Sequence, residues 1–130
     1  MKGSKPVVCE CGLKPADVCC RAIHSGVRQA LTAEELMRSR YTAFCIEDEA
    51  YLLATWHPSK RPDGLNLAAD KPTKWLGLDV RKHLVNGDRA TVEFVARFKE
   101  GGGPAYRLHE VSRFVKEEGR WYYLDGDIQG

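Results

Sequence analysis

Two spacings of apolar residues divide this chain. Between Thr32 and Trp56 they recur every three or four positions, and from Trp75 onward they alternate with polar residues. Leu36, Met37, Tyr41 and Phe44 fall on one face of a 3.6-residue repeat, which predicts an amphipathic helix. Its start is marked by Thr32-Ala33-Glu34-Glu35: the Thr32 hydroxyl can cap the backbone, and Glu35 can reach back to it. Asp48 opens a second helix carrying Tyr51, Leu52 and Trp56. Pro58 bars helical backbone at His57 and should end that helix there. Residues 58–73, rich in Pro, Lys, Asp and Gly, read as a loop with one short helix around Leu65–Ala69.

Period-two alternation then predicts four strands: Trp75–His83, Ala90–Lys99, Tyr106–Val115 and Trp121–Gly126. Asn86-Gly87, Gly101-Gly102-Gly103-Pro104 and Glu118-Gly119 supply three short turns between them. Helices first and an antiparallel meander after imply an α+β domain, with the helices covering one face of a curved four-stranded sheet.

The length of 130 residues suits one domain with a small appendage. The boundary falls near Gly26, so residues 1–26 form the appendage and residues 27–130 the domain. No apolar run approaches the length of a bilayer span, and no apolar stretch of signal-peptide length follows Met1–Pro6, which reads as a cytoplasmic protein. A net charge of +2 does not by itself imply a nucleic-acid partner. The basic excess lies in residues 1–45, with seven Lys/Arg against four Asp/Glu, and a normally solvated surface accounts for it better than an acidic partner such as ribosomal RNA does.

The appendage changes the picture through its cysteines. Cys9, Cys11, Cys19 and Cys20 form two short pairs around a short loop. Such pairs can bring four thiolates onto one tetrahedral zinc ion, and in a reducing compartment clustered cysteines are metal ligands more often than disulfides. His24 can substitute for one thiolate. Cys45, on the apolar face of the first helix, reads as a small buried hydrophobe.

Six ordered blocks carry a resemblance: Met37-Arg38-Ser39-Arg40-Tyr41, Thr55-Trp56-His57-Pro58, Trp75-Leu76-Gly77-Leu78, Phe94-Val95-Ala96-Arg97-Phe98, His109-Glu110-Val111-Ser112-Arg113-Phe114 and Gly119 to Gly126. Together they resemble the YchJ-like family of small bacterial proteins. The resemblance implies a nuclear-transport-factor-2-like fold, a cone of helices wrapped by a bent sheet. The N-terminal segment is similar to the SEC-C zinc motif, also found at the tail of the SecA translocation ATPase. Here the gap from Gly12 to Val18 is seven residues where the motif has eight, and Gly12-Leu13-Lys14 replaces its Gly-Ser-Gly turn. All four ligand positions are kept. The likeness to SecA implies a docking knob for a protein or ribosomal partner.

Folds of this type often open a pocket between helices and sheet, and they often dimerise through the sheet, which leaves a homodimer open. Tyr41, Trp56, His57, Arg97, His109, Glu110 and Arg113 are the candidates to line the pocket. Strand alternation puts His109 and Arg113 on one face and Glu110 and Ser112 on the other, so only one set can join His57 inside. Two functions lead, ahead of a third, nucleic-acid binding through the basic N-terminus with Lys5, Lys14 and Arg21. One is a zinc-bound docking and ligand-binding module. The other is an enzyme of the ketosteroid-isomerase kind, with His57 or Glu110 as general base. Against both, the same residues can serve structure alone: Arg97, Glu110 and Arg113 as cross-strand ion pairs, Arg38 and Arg40 as solvated arginines or partners of Glu34 and Glu35. No phosphate-binding loop or nucleophile elbow is present.

Overall fold

A computed structural model describes residues 23–26, 29–65 and 73–129. The first helix, α1, spans Ala33–Cys45 and the second, α2, spans Glu49–Ala54. Thr32 caps α1 by accepting from the Glu35 amide at 3.0 Å, and Glu35 reaches back one residue further than expected, to the Leu31 amide at 2.7 Å. Asp48 caps α2 through the Tyr51 amide. The apolar stripe of α1 is buried, with Leu36, Met37 and Tyr41 at 5% exposure or less. Ile23 joins the same core, and His24 contacts the Ser39 carbonyl through Nε2 at 2.7 Å.

The helix expected to run to His57 stops at Ala54, because residues 55–57 pair with the sheet instead. The Tyr123 amide donates to the Thr55 carbonyl at 2.9 Å, and the His57 amide donates to the Tyr123 carbonyl at 2.7 Å. Trp56 thereby forms a parallel bridge with Tyr123. Beyond Leu65, which is not helical, the short helix expected at Leu65–Ala69 lies outside the described residues.

The sheet is an antiparallel meander in the order β1-β2-β3-β4, with β1 at Thr73–Asn86, β2 at Arg89–Glu100, β3 at Ala105–Glu117 and β4 at Arg120–Ile128. Each strand extends one to three residues past the alternating stretch at both ends. The first turn centres on Gly87-Asp88 rather than Asn86-Gly87, since Asn86 still pairs with Arg89. At the last turn Glu118 and Gly119 both have positive φ, the backbone a tight hairpin of matching twist requires.

Register shifts at Leu76 and Arg81 in β1 and at Leu124 in β4 bend the sheet around α1. The inner face carries Val92, Phe94 and Ala96 from β2 and Ser112 and Phe114 from β3, all buried. Helices on one face of a bent meander give the α+β, nuclear-transport-factor-2-like architecture.

Candidate functional site

A cavity of about 250 Å³ opens between α1, the 55–57 segment and the inner face of the sheet. Its walls are mostly aromatic. Trp75 meets Tyr41 edge-on at 5.7 Å and Phe98 at 5.4 Å, while Tyr123 meets Trp56 at 5.1 Å and Phe114 at 5.7 Å. Polar groups gather on the β3–β4 side: Arg40, Glu110, Ser112 and Tyr123.

Arg40 is the least expected of these. It is 5% exposed, against the expectation of a solvated arginine or a partner of Glu34 or Glu35. Arg38 fills that role instead, bonding Glu34 at 3.0 Å. Arg40 lies four residues beyond Leu36, on the buried stripe of α1, and its Nη1 donates to the Leu52 carbonyl and the Thr55 hydroxyl, both at 2.7 Å. It thus holds the C-terminal end of α2. The guanidinium stacks over Tyr123 at 4.5 Å and Trp56 at 5.2 Å. Burial lowers its pKa to about 10, opposed by the nearby Tyr123, Tyr51 and Glu110. It remains a cation at neutral pH.

Glu110 lies on the same side, and both groups meet Tyr123, Arg40 over its ring and Glu110 at its hydroxyl. The Glu110 Oε2 accepts from the Ser112 hydroxyl at 2.5 Å and from the Tyr123 phenol at 3.3 Å. Burial, and then the Glu110 charge, push the Tyr123 phenol well above the ordinary tyrosine range. The carboxylate also lies against bare backbone, since a Cβ on Gly126 would fall 2.7 Å from the Glu110 Cδ. The extra residue at Leu124 makes this seat. It shifts the alternation of β4 so that Tyr123 and Gly126 both face inward, opposite Phe114 and Ser112.

Of the seven pocket candidates, Tyr41, Trp56 and Glu110 line the cavity. The other four do not, and each has a physical reason. His57 accepts from the Ser59 amide through Nδ1 at 3.2 Å, so its Nε2 donates to Glu117 at 2.9 Å outside the cavity. This removes His57 as a base for a ligand held there and leaves Glu110. Arg97 lies exposed on the outer face of the sheet. His109 bonds Glu93 at 2.7 Å. Arg113 is clamped by Asp125 and Asp127, each at 2.6 Å, and this hydrogen bond to Arg113 holds the Asp127 carboxyl below the usual carboxylate range. Among the described residues Glu110 makes no such cross-strand ion pair. Arg40, Ser112 and Tyr123 were absent from the sequence-based set. The helical spacing of Arg40 from Leu36 was the one signal that could have found it.

The proposed zinc ligands Cys9, Cys11, Cys19 and Cys20 lie outside the described residues. Among the described residues no three His, Cys, Asp or Glu side chains gather as metal ligands. Cys45 is half-buried rather than buried, packed against the core. No helix of the described residues is long and apolar enough to cross a membrane.

Comparison with known proteins agrees with this architecture. Residues 32–126 match the family model described as YchJ, middle NTF2-like domain. A UPF0225 protein of Bordetella parapertussis is 54% identical, over 97% of this chain and 96% of its own. A UPF0225 protein of Ralstonia nicotianae is 50% identical, over 92% and 90%. The solution structure of a SEC-C motif containing protein from Rhodopseudomonas palustris superposes with a TM-score of 0.82 at 36% identity, covering 95% of this chain and all of that one. The crystal structure of a SEC-C motif containing protein from Psychrobacter arcticus gives 0.75 at 32% identity, covering 95% and 83%. With the helix caps, the meander and this degree of identity in agreement, the chain belongs to the YchJ-like, UPF0225 family of bacterial proteins.

Proposed function

We propose that the domain is a ligand-binding module whose cavity takes a small ring-bearing molecule with an amide-like polar edge. The observation that carries this reading is the buried, charged Arg40 set beside Glu110 in an otherwise aromatic cavity. A cation and a carboxylate offer a donor and an acceptor side by side, which an adjacent carbonyl and N–H on a ligand would satisfy. Size narrows the class. The cavity of about 250 Å³ lies between the roughly 150 Å³ that holds benzene and the lower limit of about 300 Å³ for drug-sized sites. One or two rings fit.

Benzamide and toluene are suitable probes, observed by NMR shifts of the Trp56 and Trp75 indoles. Benzamide should bind more tightly than toluene, and Arg40→Met or Glu110→Gln should weaken benzamide roughly tenfold, about 1.4 kcal/mol, with little change for toluene. Equal binding of the two probes, or binding of neither, would refute the reading.

The cysteine segment completes the proposal. Cys9, Cys11, Cys19 and Cys20 would hold one structural zinc ion and present the segment to a protein or ribosomal partner. The four soft sulfur donors suit zinc, and the spacing and the SEC-C names of the two solved relatives support the assignment. Thiolate ligands of this kind persist in a reducing compartment such as the cytoplasm.

A further inference from the structure

The outward face of the sheet has two electrically different halves. In one, carboxylates have polar or cationic partners: Lys82 stands opposite Glu93, Glu93 also shares a hydrogen bond with His109, and Arg113 is held by Asp125 and Asp127. In the other, toward the β2–β3 turn, like charges meet. Lys74 stands opposite Lys99, and Arg97 opposite Arg107. Lys99 and Arg97 alternate with inward-facing Phe98, so both pairs share the outer face, about 6.8 Å apart along the strand.

Like charges placed directly opposite one another destabilise a sheet. All four side chains are exposed, and none takes part in an ion pair among the described residues. A shallow depression of about 370 Å³ is lined by Arg97, Arg107 and Arg81. Among the described residues no carboxylate pairs directly with any of the four, and Asp79, which also lines the depression, is engaged by Arg81 at 2.7 Å. Its floor includes Gly77, where a Cβ would come within 3.1 Å of the Arg97 Nη2. The glycine lets the Arg97 guanidinium lie across the backbone of β1 and face the depression.

We propose that this cluster binds the phosphodiester backbone of a nucleic acid. Guanidinium groups match phosphate oxygens two at a time, and their charge is permanent. A protein partner fits less well, because protein interfaces deplete charge at their centre and enrich aromatics there. Here the centre is charge. The exposed aromatic nearby, Tyr106, leans on Phe98 of the inner face at 5.8 Å and offers no stacking platform outward. Recognition is consequently of backbone, independent of sequence, and strongly dependent on salt.

The test uses the full chain and a fluorescein-labelled single-stranded RNA of about 16 nucleotides, followed by anisotropy between about 50 and 200 mM salt. Four phosphate contacts give a slope of log affinity against log salt of about −2.8, and Arg97→Ala with Arg107→Ala should bring it to about −1.4. The affinity at low salt should fall at least roughly tenfold. Removing a like-charge pair should not lower the melting temperature, so loss of binding is separable from loss of fold. Lys60→Ala, at a lysine 3.9 Å from Asp125 in the compensated half, should change nothing. Absence of binding at low salt, or an unchanged slope in the double variant, would overturn the proposal. So would displacement of the RNA by polyglutamate at equal charge concentration, which would assign the surface to an acidic protein.

Discussion

Gly126→Ala tests the carboxylate seat directly. Gly126 does not lie in the left-handed region, so alanine carries no backbone strain there. In open space the substitution would stabilise the protein by about 0.4–1 kcal/mol, by reducing the freedom of the unfolded chain. The space is not open. The new methyl would fall 2.7 Å from the Glu110 Cδ and 3.0 Å from its Cγ. Its carboxylate must leave its place and give up the Ser112 and Tyr123 hydroxyls. Hydrogen bonds to a charged group contribute about 1.5–3 kcal/mol each. The Tyr123 bond is long at 3.3 Å, and the displaced carboxylate regains water, so the net destabilisation should be about 2 kcal/mol. That corresponds to a fall of roughly 8 °C in melting temperature for a domain of this size. Urea and thermal unfolding of wild type, Gly126→Ala, Glu110→Ala and the double variant form a complete cycle. With Glu110 truncated, the alanine should stabilise by about 0.4–1 kcal/mol, giving a coupling of about 2.5–3 kcal/mol between the two sites. A Gly126→Ala protein as stable as wild type, or an equal cost in both backgrounds, would refute the placement of Glu110.

Two further outcomes follow from other parts of the molecule. The phenol absorbance lost in Tyr123→Phe should titrate well above pH 10; because the fold favours the neutral phenol, its stabilisation is complete below pH 10 and declines as pH rises further, and ionisation near the ordinary value of 10.0 would contradict its burial beside Glu110. Cys19→Ser should reduce zinc, measured by elemental mass spectrometry, from one equivalent per chain toward none while the unfolding transition of the domain persists; full retention of zinc would exclude Cys19 as a ligand.

Much of the fold was legible because its signals are local. Thr32 and Asp48 announce helix starts through oxygens that reach amides three residues on. The alternation in β2 and β3 states which side chains share a face, and Glu110 and Ser112 do share one. What escaped depends on contacts distant in sequence. The early end of α2 is decided by Tyr123, whose backbone takes residues 55–57 out of the helix. The burial of Arg40 makes sense only with the Leu52 carbonyl below it and the Trp56 and Tyr123 rings beside it. The Gly126 seat requires the extra residue at Leu124, and nothing in the alternation of β4 marks it. His57, conspicuous beside a proline, is turned outward by Ser59 and Glu117, neither of which is distinctive as a residue type.

The bridge between Trp56 and Tyr123 also decides how the sheet meets other chains. An unpaired strand edge is a template for aggregation. Along its first half, β4 is already occupied by residues 55–57, so a foreign strand finds no free amides at Tyr123. The opposite edge, β1, is longer and has no neighbouring strand among the described residues, but it carries Lys74, Arg81 and Lys82. A second copy adding there edge to edge would set a cation-rich border against its own kind. The molecule guards one border by occupancy and the other by repulsion, and a charge-neutralising substitution on β1 would favour edge-to-edge association of copies.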